Sequence, residues 1–539
     1  MLGSIWANSE GGLLIIKNAQ IFVEEGFFQP GEIVIDCGRI TKITFTQERR
    51  STGDKSYDDA LSYGENDKTK DKTKDKAKDK AKDKAKDKAK ANAKTKPKHG
   101  EKQHSGLEYS SACNYETGGI IERGDIERGN IERGNIERGD IERGEIKGCE
   151  INSDEINSGD INSCDMKNAE QHYGGVEGRH GGDEVIDAGG CYAIPGLIDI
   201  HLHGCAGFNF YNADADGLMK MFQYQAANGV TALTPTTLTL PPDTLARACE
   251  SIASFAMSVE ADAVNNVGNP GAATRYSTAA APVGIYLEGP FLSPFKAGAQ
   301  NPAYAIPPNL SLFKYLQEAS KKTVKVIAVA PELEGAMEFI RKISEEVVVS
   351  IGHTNANYDM AVAAFKRGAR HVTHLFNAMS PFTHREPNVV GAAFDTPGVT
   401  AELICDGLHL HPAAVRIALR ELGLVRSIFV SDSMMATGLG DGIFDLGGLA
   451  VQVTGKTARL VNGGSIASSV SNLMDCLRVA VKEMGISLAD AVRCASVNPA
   501  RVLGIDNERG RIGEGLIADI VLLDEELNIK QVFVRGSRV

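Results

Sequence analysis

No Cys-x-x-Cys pair occurs in this 539-residue chain, whose ten cysteines are scattered from Cys37 to Cys494. That spacing excludes a thiolate zinc ribbon and a dithiol redox pair, both of which need close cysteines. No run approaches the roughly 18 apolar residues of a membrane helix. The opening "MLGSIWANSEGGLLII" has neither a basic segment nor an apolar stretch with a cleavage site, so no signal peptide is read. An excess of positive charge is also missing. The formal net charge is −12, whereas a general nucleic-acid binder needs a basic surface. No serine stands in a Gly-x-Ser-x-Gly setting, so a serine nucleophile of that kind is excluded. These absences predict a cytoplasmic protein with free thiols that partners neither nucleic acid nor membrane. Cys37, Cys191 and Cys405 lie in apolar, strand-like contexts and are expected to be buried small hydrophobes.

What is present divides the chain. Residues 12–48 hold short apolar runs broken by Asn-Ala, Pro-Gly and Cys-Gly, the mark of short antiparallel strands. Residues 49–183 then repeat "DKTK" and "DKAK", followed by "IERGD" and "INSGD" units. The four-residue units have no apolar face to pack, and a five-residue period matches neither helix nor strand, so this insertion is expected to be disordered, with a small solenoid coil as the alternative for the Ile repeats. Residues 184–195 resume the strands, and 506–539 return to them at the other terminus. Between these, residues 196–505 alternate eight apolar strand-like runs, from "GLIDIHLH" to "RSIFVSDS", with helical stretches. The expected fold is therefore α/β. It combines a (β/α)8 TIM-like barrel with a small β-sandwich domain built from both terminal segments.

Most of the apolar runs share a further feature. Six of the eight end in a metal-competent or acidic residue: His201 and His203, Glu288, His353, His374, His409 and Asp432. In a parallel barrel those ends open on one face, where active sites lie. His201 and His203 are two residues apart, so on a strand both imidazoles point to one side. Neutral imidazoles with carboxylates suit Zn²⁺ or another first-row divalent ion, Fe²⁺ included. His371, His384 and His411 read as surface, supporting or phosphate-side residues.

The motifs "YLEGPFLSPFKAGAQNP", "IGHT", "VTHLFNAMSPFTHREPNVVGAAF", "ICDGLHLHP", "VSDSMMATG" and "NPARVLGI" occur in one order over about 370 residues. Together they resemble the N-acetylglucosamine-6-phosphate deacetylases of the amidohydrolase superfamily. The resemblance implies a main metal site at Glu288, His353 and His374. A second site would use His201, His203 and Asp432, with Glu288 as a bridge, so one or two ions per subunit are expected. It implies Asp432 as the catalytic acid–base. Substrate contacts are implied at Ala299, Gln300, Asn377, Ala378, Arg385, His409, Ile466, Ala467 and Ser468. Arg385 would grip the phosphate of a small phosphosugar. The resemblance also implies a homodimer. Two positions depart from the family pattern: Gln300 replaces a histidine near the acyl group, and Ser468 replaces a glycine in the late loop. Alternatives left open are hydrolysis of the galactosamine epimer or another amide, and a non-catalytic protein in which the repeats carry the function.

Overall fold

In "FFQPGEIVID" every second side chain from Gln29 onward is buried, the two-residue period of a strand covered on one face. The computed structural model describes residues 12–24, 26–46, 182–265 and 274–539. The repeat insertion and its expected disorder lie outside the described residues, apart from Gly182 and Asp183.

Leu14–Val23 pairs antiparallel with Phe27–Asp36 on one edge and parallel with Glu184–Asp187 and Tyr192–Pro195 on the other. Tyr192–Pro195 then pairs with Ile520–Leu523, which pairs with Ile529–Val534. The two ends of the chain thus share one eight-stranded sheet. In hydrogen-bonding terms this is a single sheet where two were expected, because Leu14–Val23 has partners on both edges. It curls enough for Arg39 to bridge Ile517. Ile16, Ile21, Ile33, Ile35, Ile520 and Phe533 form a core of its own.

The larger part is mixed α/β. Leu197–Leu202 and Val230–Pro235 pair in parallel. A second, all-parallel sheet runs in chain order through Ile285–Leu287, Val324–Val329, Val348–Ile351, Ala369–Val372, Thr400–Ile404 and Ser427–Val430. Isolated parallel bridges, Thr236 to Tyr286 and Leu202 to Ser433, join the two sheets at both edges. Helices cover the outside. Ala336–Ile343 shows why they form: Ala336, Phe339, Ile340 and Ile343 are buried, the spacing of one helical face. The strands are buried on both sides, which explains their continuous apolar runs. Ile198, Ile200, Val326, Ala328, Ile428 and Val430 belong to one core cluster, and Leu197, Leu233, Ile327 and Phe429 to another packed with helix residues.

An antiparallel hairpin unit, Gly442–Leu446, Leu449–Thr454 and Thr457–Leu460, branches off after the last parallel strand. Cys405 is buried as expected, but Cys37 and Cys191 are only half-buried. Cys37 sits in the turn between two strands with φ 49°, not inside one. The cysteines of the described residues are free.

Candidate metal centre

The parallel strands bring six side chains to one end of the array. His201 is the fifth residue of Leu197–Leu202 and His203 follows that strand. Their rings lie 5.3 Å apart, both turned to the same side. Glu288 follows Ile285–Leu287, and His353, His374 and Asp432 each stand two residues past a strand end. These last three residues take left-handed backbone, with φ of 46°, 25° and 50°. Such angles are sparsely populated by residues other than glycine, and strain of this kind clusters at functional sites. Gly289 holds the turn after Glu288 with φ 110°. A Cβ there would meet the Thr239 hydroxyl at 2.3 Å, so only glycine fits.

Glu288 is the hub. Its Oε1 lies 3.0 Å from His374 Nε2, 3.1 Å from His353 Nε2 and 3.3 Å from His201 Nε2. Its Oε2 lies 3.2 Å from His203 Nε2. Two groups with metal-ligand spacing result: His201, His203 and Glu288, and Glu288, His353 and His374. Asp432 Oδ1 is 3.3 Å from His203 Nε2 and 3.8 Å from His201 Nε2.

The tautomers favour a cation here. Nδ1 of His353 meets the Lys296 carbonyl at 2.9 Å, Nδ1 of His203 meets the Thr236 carbonyl at 3.3 Å, and Nδ1 of His201 meets Glu402 at 2.8 Å. An oxygen partner that only accepts puts the proton on Nδ1 and leaves the Nε2 lone pair facing the centre. His201 Nε2 is buried with no aligned hydrogen-bond partner, and Nε2 of His353 and His374 stand 3.1 Å apart. Converging lone pairs of this kind repel unless a cation lies among them. The charges agree: Glu288, Glu402 and Asp432 are buried, and the cationic side chains acting on them are histidines.

The same carboxylates also shift the imidazoles. Burial alone would lower the pKa of His201 and His203. The carboxylates of Glu402 and Glu288 overcome this for His201, which lies well above its ordinary value. For His203, Asp432 and Glu288 do the same and push it up to about 9. Burial would raise Glu288 and Asp432, but the surrounding imidazoles hold both below the usual carboxylate range. A divalent ion binding here must displace those protons.

The expected substrate contacts fall in different settings. Gln300 is buried. Its Nε2 donates to Glu288 Oε2 at 2.6 Å and its Oε1 accepts from Thr239 N at 2.7 Å, so its amide is committed to the hub. The loop carrying Ala299 passes over His353, since a Cβ on Gly298 would lie 3.4 Å from that ring and from the Ala378 side chain. Asn377 Nδ2 donates to the His374 carbonyl at 3.3 Å. His409 Nδ1 meets Asp406 at 2.8 Å; burial would lower its pKa, but Asp406 raises it. Ser469 N donates to the Asp432 carbonyl at 2.8 Å, which seats the Ile466–Ala467–Ser468 loop beside that residue. Arg385 and His384 are exposed. A cavity of about 620 Å³ lies elsewhere, at the start of Ile285–Leu287, and its Arg509 is already paired with Asp519.

Ser468 occupies the left-handed region at φ 54°. Ser468→Gly is therefore expected to leave stability nearly unchanged. Ser468→Val, β-branched in that conformation, is expected to lose roughly 1–3 kcal/mol in urea unfolding.

Two supporting carboxylates, Glu402 and Asp199, carry no mark among the sequence motifs. Glu402 binds His201 and, through Oε1, His371 Nε2 at 2.9 Å. His371, expected at the surface or in a supporting place, is buried and takes the supporting one. Asp199 accepts from the Ser431 hydroxyl at 2.5 Å, next to Asp432. The signal for Glu402 and Asp199 was a carboxylate inside an otherwise apolar strand, which burial makes costly unless it is hydrogen-bonded.

Residues 192–539 match the model of the Amidohydrolase family. The chain is 35% identical over 345 residues to the N-acetylglucosamine-6-phosphate deacetylase of Bacillus subtilis (strain 168), covering 64% of this chain and 83% of that one. It is also 35% identical over 344 residues to the N-acetylgalactosamine-6-phosphate deacetylase of Escherichia coli O157:H7, covering 64% and 86%. A solved structure of a mutant N-acetyl-D-glucosamine-6-phosphate deacetylase from Mycobacterium smegmatis, in complex with N-acetyl-D-glucosamine-6-phosphate, aligns with a TM-score of 0.59 at 33% identity. That alignment covers 68% of this chain and 91% of the other. More than half of the sequence, including all four imidazoles of the centre, lies within the family match, and the chain belongs to the amidohydrolase family.

Proposed function

We propose that this chain hydrolyses the acetamide of N-acetylglucosamine 6-phosphate to glucosamine 6-phosphate and acetate at a divalent metal centre. The convergence of four imidazole Nε2 atoms on Glu288 carries the reading. Relatives named as deacetylases of this substrate support it. The eight parallel strands, linked by bridges at both edges, support a closed (β/α)8 barrel.

His201, His203, Glu288, His353, His374 and Asp432 hold the metal, Zn²⁺ by the chemistry of the donor set. The two ligand groups sharing Glu288 favour two ions per subunit. When bound, such an ion polarises the acyl oxygen and makes water a stronger nucleophile at neutral pH. Asp432 takes the proton of the attacking water as the carbon–oxygen bond forms. It returns that proton to the amide nitrogen as the carbon–nitrogen bond breaks. Arg385 offers its planar fork of donors to the phosphate. Asn377, Ala378, Ala299, His409 and the 466–468 loop hold the sugar, and Gln300 acts through Glu288. A charged phosphosugar does not cross membranes unaided, which favours a cytoplasmic enzyme. Phe295, 85% exposed, and Phe382, both beyond parallel-strand ends, and Ile443, 68% exposed on the Gly442–Leu446 strand, favour burial against a second copy in a homodimer.

The test is to measure metal content and acetate release on the purified protein. Neither metal nor acetate would sink the proposal. A second reading, the galactosamine epimer, is favoured by an equally identical relative. Comparing kcat/KM for the two N-acetylated sugar phosphates separates them. His409 adds a pH signature. Its imidazolium persists above the ordinary 6.5 because Asp406 raises it, and it is lost as pH climbs further. KM is expected to rise at alkaline pH, by up to about tenfold per unit past that pKa, and His409→Asn should flatten the rise.

A further inference from the structure

The geometry points to Glu402 as a positioning residue that presets both ligand groups of the metal centre; this inference rests on the metal reading above. Glu402 lies inside the Thr400–Ile404 strand with no exposure to solvent. Its Oε2 accepts two hydrogen bonds. One comes from His201 Nδ1 at 2.8 Å and the other from the backbone N–H of His374 at 2.9 Å. Its Oε1 meets His371 Nε2 at 2.9 Å, and His371 Nδ1 meets the Thr400 hydroxyl at 2.7 Å. Its own carbonyl accepts from Leu375 N at 2.9 Å.

Each contact has a consequence for a ligand. The bond to His201 fixes both the tautomer and the plane of that ring, so Nε2 alone faces the centre. His374 sits at a left-handed φ of 25°, and its turn is held at successive N–H groups by the Glu402 side chain and backbone. One carboxylate therefore sets a ligand in each group: His201 in the first and His374 in the second. His371 and Thr400 extend the chain outward and stop the carboxylate from rotating. A buried carboxylate is expensive unless its oxygens are satisfied, and here each meets nitrogen partners. A role in packing alone would be served as well by an apolar residue.

The experiment compares wild type with Glu402→Gln, an isosteric change that keeps the volume and removes the charge. Both are stripped of metal, and Zn²⁺ affinity is read by competition with a chromophoric chelator. Co²⁺ is then bound in a second series and its visible absorption recorded. The expected result is a 10–100-fold weaker Zn²⁺ affinity with an altered Co²⁺ spectrum in a folded variant. Equal affinity and an unchanged spectrum would overturn the inference while leaving the metal reading intact. Failure of wild type itself to bind Zn²⁺ or Co²⁺ would overturn both. If Glu402→Gln does not fold, Thr400→Val takes its place, since it spares Glu402 and removes only the Thr400 hydroxyl, which meets His371 and donates to the Arg370 carbonyl at 3.2 Å. A severalfold affinity loss there supports the inference, and none overturns it.

Discussion

Asp432→Asn is expected to lower kcat by about 10³-fold, within the range that a positioned acid–base group contributes, while metal remains bound at Glu288, His353 and His374. The residue has the position the role needs. It stands at the end of Ser427–Val430, its N–H donates to the His201 carbonyl at 2.9 Å, and its own carbonyl accepts from Ser469 N at 2.8 Å. Those backbone bonds survive the substitution, so the side-chain position is kept. What changes is the proton inventory: an amide cannot accept a proton from water and hand it to a leaving nitrogen. The surrounding imidazoles hold the Asp432 pKa below its usual range despite burial, so the base form is present at neutral pH. KM should change little, because substrate contacts are assigned elsewhere. Turnover within tenfold of wild type would remove Asp432 from the proton path. Loss of metal from the Glu288, His353 and His374 group would instead show that the two ligand groups cannot be separated.

How much of this was legible beforehand depends on how far apart the informing residues lie. The His201–His203 pair was readable because a strand has a period of two, so a two-residue spacing fixes the direction of both rings. Glu288, His353, His374 and Asp432 were readable because each follows an apolar run at once, and a parallel array carries all such ends to one side. The hydrogen bonds among them were not readable. Glu402 sits in "TAELI", and its meaning depends on His201, 201 residues away. Gln300 was expected to face the acyl group. Its partner, Glu288, is only 12 residues off, but the intervening turns decide which way the amide points. Cys37 shows the same limit at short range. It comes just after the apolar run Ile33–Ile35, yet the turn that reverses the chain there leaves it half-buried. The 442–460 hairpins carried a local signal in Gly447-Gly448 between alternating residues, which the length of the surrounding barrel pattern obscured.

Glu288→Gln is expected to abolish both metal binding and turnover without destabilising the metal-free protein. Glu288 is common to the two ligand groups, so each keeps only two of its three members when it stops being a carboxylate. The replacement amide has one acceptor and one donor end. Gln300 Nε2 donates at 2.6 Å to Oε2, which forces the new carbonyl to that side. The new NH₂ must then face the Nε2 atoms of His201, His353 and His374, all within 3.3 Å of the other oxygen. It can donate to those lone pairs and occupy the place that a cation would take. In metal-free wild type the buried carboxylate is balanced only by imidazoles that must hold protons, His203 among them with a pKa of about 9. The variant removes the buried charge together with the need for those protons. Metal-free Glu288→Gln should therefore melt at or above metal-free wild type. Wild type should gain about 4 kcal/mol when the metal is supplied at a thousandfold excess over its dissociation constant, and the variant should gain nothing. The measurement is a pair of melting curves for each protein, with chelator and with Zn²⁺. A metal-dependent rise in the variant comparable to that of wild type would mean that Glu288 is not the shared ligand. A large fall in its metal-free Tm would mean that Gln300 does not dictate the orientation of the amide.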